Sequence, residues 1–200
     1  MSAAQADLKH ELPARFFAAA THDASAAMCR WTDGLITLTF DEVRDLALEE
    51  VHPALELGDR PQTMIVLALE GEVGMRMILI FDHDDARALA ASLLGKAPGQ
   101  GPQLSPLERS ALLETGNILG CAYMNTLARM IDCELAPSVP YYIEDYAASV
   151  LQSALLGPAM DADRALICQT GFHREGKNLD WRVVLIPTPA MREALENAIS

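Results

Sequence analysis

The chain lacks the short glycine-rich and serine motifs of common enzyme classes. It contains no G-x-x-x-x-G-K-[ST] phosphate loop, no G-x-G-x-x-G sequence after a strand pattern and no G-x-S-x-G elbow. These motifs hold nucleotide phosphates or present a nucleophilic serine. Their absence disfavours a nucleotide enzyme or a self-contained hydrolase.

Cysteine is scarce and widely scattered along the chain. The four cysteines are Cys29, Cys121, Cys133 and Cys168, with no C-x-x-C pair and no histidines at zinc-ligand spacing. A chain of this size without secretory features does not need disulfides. We therefore expect buried free thiols.

Metal-ligand clusters are equally rare. The sequence Asp82-His83-Asp84-Asp85 places an imidazole among carboxylates directly after a strand pattern. Acidic residues also favour the first turn of a helix, and no second cluster completes a coordination shell. We interpret this segment as a helix start and expect no metal site.

Basic residues and long apolar runs are also few. The chain has 15 Lys and Arg against 28 Asp and Glu, a net charge of -13, and no basic stripe. Nucleic acid is therefore an improbable partner. The most apolar stretches, 64–69 and 77–81, fall far short of the roughly 20 residues that a membrane helix needs, and no signal peptide is evident. We expect a cytoplasmic protein without a membrane partner.

The residues that are present predict the same order of elements twice: helix, strand, hairpin and helix. The first copy comprises a helix over 12–31 that the turn-like Thr21-His22-Asp23 interrupts, a strand over 35–40, a hairpin of 62–69 and 75–81, and a helix over 84–94. The second comprises a helix over 105–131, a strand over 133–139, a hairpin of 165–172 and 179–186, and a helix over 188–199. Identities between the copies are few, so the repeat is structural.

Each copy alone would leave an apolar sheet face uncovered. We therefore expect one α+β domain over residues 1–200, with pseudo-two-fold symmetry and an antiparallel sheet packed against long helices. A first half of about 12–95 and a second half of 104–200 flank a polar linker at 96–103 that is rich in Gly and Pro.

The second long helix has the best specified start. Ser105 is its predicted N-cap, Pro106 occupies the first helical position, and Glu108 completes a capping box. At 100° per residue, the predicted core side contains Leu112, Leu119, Tyr123 and Met130, flanked by Gly116 and Leu127.

Four residues share the opposite side of this helix: Ser110, Glu114, Asn117 and Cys121. By themselves these residues indicate an ordinary solvated surface, since Glu and Asn are usually exposed. However, Ser110-x-x-x-Glu114-x-x-Asn117, followed after 22 intervening residues by Pro140, resembles the signature of the CheC, CheX and FliY phosphatases of bacterial chemotaxis. The duplicated layout matches the family's order of elements.

The resemblance implies a two-component signalling enzyme that hydrolyses the aspartyl phosphate of a CheY-like response regulator. In that case Asn117 positions the attacking water and Glu114 binds a lysine of the regulator, while Ser110 borders the contact. Pro140 is structural, because it lacks an N–H and ends the strand beside the helix. The chain itself needs no cofactor, since the regulator supplies Mg²⁺. The alternative is a non-catalytic CheC-like adaptor that binds a response regulator, a flagellar switch component or a CheD-type deamidase.

The first half departs from the family signature. Aligning Phe40-Asp41 with Val139-Pro140 gives an offset of 99 residues, which places Arg15 at the position of Glu114 and Ala18 at that of Asn117. No acid and amide pair remains. The sequence therefore predicts one site, in the second half.

Overall fold

The structure is a computed structural model that describes residues 3–57, 60–99, 103–146, 149–150, 163–174 and 177–198. The first half comprises α1 (Ala3–Trp31), β1 (Ile36–Ala47), α2 (Leu48–Leu55), β2 (Pro61–Gly71), β3 (Met75–Phe81) and α3 (His83–Leu93). The second half comprises α4 (Pro106–Ile131), β4 (Leu135–Pro137), β5 (Tyr141–Tyr146), β6 (Arg164–Arg174), β7 (Lys177–Pro187) and α5 (Pro189–Asn197).

The described strands form one seven-stranded antiparallel sheet. Its order is β1-β6-β7-β3-β2-β4, and β5 also pairs with β2. The two hairpins meet at the centre through β3 and β7, while the outer strand of each half pairs with the hairpin of the other half. Exchanging the halves reproduces the same order. The predicted α+β class with an antiparallel sheet is therefore confirmed, and the strand order has the expected pseudo-two-fold symmetry.

Hydrophobic residues cover both faces of the sheet, because successive side chains of a strand point to opposite faces. On one face, α1 and α4 bury residues such as Phe17 and Leu119 against Leu67 and Val183. On the other face, α2 packs on a smaller cluster that includes Met64, Ile78 and Val184. Both clusters combine strands of the two halves.

A buried polar contact joins α1 to α4. The hydroxyls of Thr21 and Tyr123 lie 2.9 Å apart, both fully buried. Further along α4, Thr126 and Arg129 donate hydrogen bonds to the Asp23 carboxylate of α1. The predicted interruption of the first helix at Thr21-His22-Asp23 is therefore wrong. The helix is continuous, because Thr21 and Asp23 bond to α4 while His22 points to solvent.

The start of α4 is confirmed. Ser105 Oγ accepts a hydrogen bond from the backbone N–H of Glu108 at 3.4 Å, and the Ser105 N–H donates to Glu108 Oε2 at 2.7 Å. The Ser105 hydroxyl also donates to Glu108 Oε2, at 2.7 Å. This bond, with the one from the Ser105 N–H, lowers the pKa of Glu108. The capping box thus satisfies amides that the first helical turn leaves without intrahelical partners.

Several boundaries differ from the prediction. The strand predicted over 133–139 is reduced to β4, whereas α2 and β5 were not predicted. Residues 100–102 of the predicted linker and 199 of the last predicted helix lie outside the described residues. The predicted core position of Met130 is wrong, because Met130 is 36% exposed although its helical angle equals that of Leu112. In the last turn of α4, Ile131 packs against the core instead.

The cysteines are free, as expected, but only Cys168 is buried, and Cys29, Cys121 and Cys133 are partly exposed. Within the described ranges, no helix combines the length and the apolar character that crossing a membrane requires.

Candidate functional site

The outward face of α4 carries the residues of the sequence motif. Ser110 and Glu114 are exposed, while Asn117 and Cys121 are partly exposed. The spacing of three and four residues aligns them along the helix, as the helical period requires. The structure thus brings Glu114 and Asn117 together, one turn apart, on the side that faces away from the core.

Two glycines set the height of this helix above the sheet. A Cβ added at Gly116 would lie 2.4 Å from Ile65 Cγ2, and one at Gly120 would lie 2.3 Å from Leu67 Cδ1. Only a residue without a side chain allows this approach of α4 to β2. This role is hard to predict from sequence, since glycine inside a helix ordinarily costs about 1 kcal/mol relative to alanine.

An open groove lies between α4 and the connection from β4 to β5. It is lined by Ser110, Leu113, Glu114, Asn117, Pro137, Ser138, Val139 and Pro140. All four residues of the motif therefore border one groove, although Pro140 is distant from the other three in sequence. The sequence motif does not include Ser138 or Val139, which lie next to Pro140 in the same groove.

The far wall of the groove is a β-bulge. Val66 pairs with Tyr141 and Leu69 pairs with Pro137, so three residues, 138–140, oppose two residues of β2. Ser138 anchors the bulge, because its N–H donates to the Ala68 carbonyl at 2.8 Å and its Oγ accepts from the Ala68 N–H at 2.9 Å. Pro140 lies in this interruption of the ladder, where a missing N–H costs nothing.

The side chains on the helix side of the groove differ in the hydrogen bonds that they make within the protein. Ser110 Oγ donates to the Pro106 carbonyl at 3.0 Å within its own helix. The Cys121 thiol lies 4.0 Å from Asn117 Oδ1, as a long hydrogen-bond donor. Glu114 has no hydrogen-bond partner within the described part of the chain. An anionic acceptor and a nearly free amide are therefore available to a bound molecule.

Electrostatics keep the Cys121 thiol neutral. Burial raises its pKa, and the negative charge of Glu114 raises it further. A protonated thiol can donate to the Asn117 carbonyl but is a poor nucleophile. The groove accordingly offers hydrogen bonding and one negative charge.

The first half contains the structural counterpart of this bulge. The pairing of β1 with β6 shifts register between Phe40 and Glu42, so that Asp41 is the extra residue. Arg15 and Ala18 are exposed on α1, at the positions that correspond to Glu114 and Asn117. The scaffold is thus duplicated, whereas the acid and the amide are present in the second half.

The acidic segment after β3 caps a helix. Asp82 Oδ1 accepts a hydrogen bond from the backbone N–H of Asp84 at 2.9 Å. His83 Nε2 lies 2.9 Å from a guanidinium nitrogen of Arg87. Among the described residues, no group of three or more His, Cys, Asp or Glu side chains could hold a metal ion.

Comparison with known proteins gives consistent similarities along most of the chain. No family model matches. The chain is 25% identical over 172 residues to the CheY-P phosphatase CheC of Bacillus subtilis, covering 85% of this chain and 82% of that protein. The structure of FliY from Thermotoga maritima superposes with a TM-score of 0.71 at 15% identity, covering 99% of this chain and 98% of that one.

A second solved structure contains a bound partner. The CheX–CheY–BeF₃–Mg²⁺ complex from Borrelia burgdorferi contains a chain that matches with a TM-score of 0.55 at 17% identity, covering 84% of this chain and 95% of that chain. Together with the sequence similarity to CheC, the shared fold confirms the resemblance to the CheC/CheX/FliY family.

Proposed function

We propose that this protein accelerates hydrolysis of the aspartyl phosphate on a CheY-like response regulator. The observation that carries the proposal is the pair of Glu114 and Asn117, which line one open groove with few internal hydrogen bonds. Similarity to a Bacillus subtilis protein named CheY-P phosphatase CheC supports the reaction class. The shared fold with a chain solved in complex with CheY is consistent with a partner of that kind.

The reaction requires little covalent chemistry from this chain. A water oxygen forms a bond to phosphorus as the bond from phosphorus to the aspartyl oxygen breaks, which releases orthophosphate and a free carboxylate. In phosphoryl transfer, positioning and charge stabilisation supply most of the catalysis. The regulator would provide the phosphoryl group, the magnesium ion and a lysine, so the missing contribution is a group that orients the water.

Asn117 is suited to that task because its amide is neutral. A carbonyl oxygen has two acceptor sites. The long contact with Cys121 uses one of these sites, so the other can accept a hydrogen bond from the attacking water. That bond would orient the water so that a lone pair of the water oxygen points at phosphorus. A carboxylate at this position would instead repel the phosphoryl oxygens.

Glu114 is suited to anchoring the regulator. Its Cβ lies about 5–6 Å from that of Asn117, as expected for residues three apart on a helix. Its free carboxylate would bind the ammonium group of the regulator's lysine, and such charge-assisted bonds are stronger than neutral ones. The ion pair would fix α4 against the regulator and thereby place the Asn117 amide.

The test is phosphate release from a phosphorylated regulator with magnesium present and with this protein substoichiometric. If positioning of water dominates, Asn117→Ala should lower the rate about 100-fold or more, and Glu114→Ala should raise KM. Asn125→Ala is the matched control, because it makes the same change at an exposed residue of the same helix outside the groove. An Asn117→Ala protein as fast as the parent would refute the proposed role. Binding without faster release would support the non-catalytic adaptor instead.

A further inference from the structure

The bulge that forms the far wall of the groove exposes an apolar side chain. Val139 is 87% exposed, the highest value among the large hydrophobic residues that are exposed in the described part of the chain. It lies between Ser138, whose backbone and side chain both bond to Ala68, and Pro140, whose ring fixes the backbone. The valine is therefore held outward by a rigid segment.

A single exposed hydrophobic residue is ordinary on a protein surface. Val139 differs because it lies at the lip of the groove that contains Glu114 and Asn117. Leu113, Pro137 and Pro140 line the groove beside it. Pro137, Val139 and Pro140 thus make the bulge side of the groove mainly apolar, whereas the α4 side is mainly polar apart from Leu113. β-Bulges are frequent next to functional sites, where they redirect a side chain.

We propose that Val139 is the apolar anchor through which this groove binds the phosphorylated regulator. This inference rests on the function proposed above. The occupant would be the surface of the regulator that borders its phosphorylated carboxylate, because α4 and the bulge face the same groove. The net charge of -13 gives no long-range attraction toward an anionic phosphoryl group. Affinity must then come from short-range contacts, and burial of Val139 supplies one.

This role separates affinity from rate. Glu114 and Asn117 would touch the reacting region, whereas Val139 would lie at the edge of the contact and exclude water. Its loss should therefore raise KM and leave kcat nearly unchanged, as expected when binding is equal in the ground state and the transition state. A merely structural role would instead change kcat or the thermal stability.

The experiment measures steady-state phosphate release over a range of phosphorylated regulator concentrations. Val139→Thr keeps the shape and the β-branching but replaces a methyl group by a hydroxyl, and Val139→Ile keeps the apolar character. We expect Val139→Thr to raise KM about tenfold, which corresponds to about 1.4 kcal/mol, with kcat within about twofold of the parent. Val139→Ile should behave as the parent does.

Tyr146→Ser is the control for an exposed apolar residue outside the groove. Tyr146 is 50% exposed at the far end of β5, roughly 17 Å from the start of that strand at 3.3 Å per residue. Its substitution should leave both constants unchanged. A KM of Val139→Thr within twofold of the parent, or an equal rise for Tyr146→Ser, would overturn the anchor.

A binding measurement keeps this inference distinct from the proposed catalysis. The probe is a CheY-type regulator loaded with beryllofluoride and magnesium, titrated against the parent and Val139→Thr. If the parent binds without turnover and Val139→Thr binds about tenfold more weakly, the binding role of Val139 is supported although the phosphatase proposal fails. If the parent turns over the regulator and Val139→Thr binds equally well, the anchor fails alone. If the parent does not bind, both fail.

Discussion

Replacement of Gly116 by alanine tests how closely α4 packs on the sheet. The new Cβ would lie 2.4 Å from Ile65 Cγ2, more than 1 Å inside the distance of about 3.5 Å at which carbon atoms normally meet. Ile65 is fully buried and β-branched, so its methyl group cannot rotate away freely. Either the isoleucine or the whole helix must shift.

Two opposing effects determine the free energy of unfolding of this variant. Overpacking of a buried site costs about 1–3 kcal/mol, whereas alanine is favoured over glycine in a helix by about 1 kcal/mol. The net effect is a destabilisation of up to about 2 kcal/mol. In a protein that already carries Ile65→Ala, the obstructing methyl group is absent. Gly116→Ala should there stabilise the fold by about 1 kcal/mol.

The assay is a double-mutant cycle by urea unfolding of the parent, the two single variants and the double variant. The expected coupling free energy is about 1–3 kcal/mol in favour of the double variant. Gly120→Ala should cost less than Gly116→Ala, because it meets the flexible end of Leu67 at 2.3 Å. Additive free energies within about 0.5 kcal/mol would refute this packing. Phosphate release measured on Gly116→Ala should also fall, since a shift of 1 Å can cost about 100-fold in rate.

Two further predictions concern the contacts between α1 and α4. Hydrogen bonds from Arg129 and Thr126 lower the pKa of Asp23. The stabilisation they give is present above the unfolded pKa of about 3.9 and is lost as pH falls through the lower folded value. Asp23→Asn should therefore flatten the decline of the unfolding free energy below about pH 4, and an unchanged dependence of that free energy on pH would contradict this. Thr21→Val should cost about 1 kcal/mol, because the buried Tyr123 hydroxyl loses its 2.9 Å partner and keeps the longer contact of 3.9 Å with the Cys168 thiol. Adding Tyr123→Phe should restore part of that loss in thermal unfolding, and no restoration would argue against the bond.

Local chemistry made α4 predictable. The cap at Ser105 and Glu108 depends on residues three apart, and both of its hydrogen bonds are present. The shared face of Glu114 and Asn117 follows from the helical period alone. The doubled order of elements was also readable, because each hairpin has strongly apolar strands.

Features that depend on partners far away in the chain could not be predicted from the local sequence. β5 does not alternate cleanly between buried and exposed residues at the sheet edge, and its existence depends on pairing with β2. The short α2 contains Pro53, which favours a loop in sequence terms. The bulge with Val139 requires a mismatch between strands far apart in sequence, so only the structure places it beside the motif.

The pairing of β1 with β6 has a consequence for synthesis of the chain. Ile36 pairs with Arg174, and at about 5–20 residues per second the ribosome needs on the order of ten seconds to produce the second partner after the first. During that interval the apolar side of β1 and the hairpin of β2 and β3 have no complete cover. The sheet can close only when β6 and β7 have emerged, so the long-range pairing must follow synthesis of nearly the whole chain.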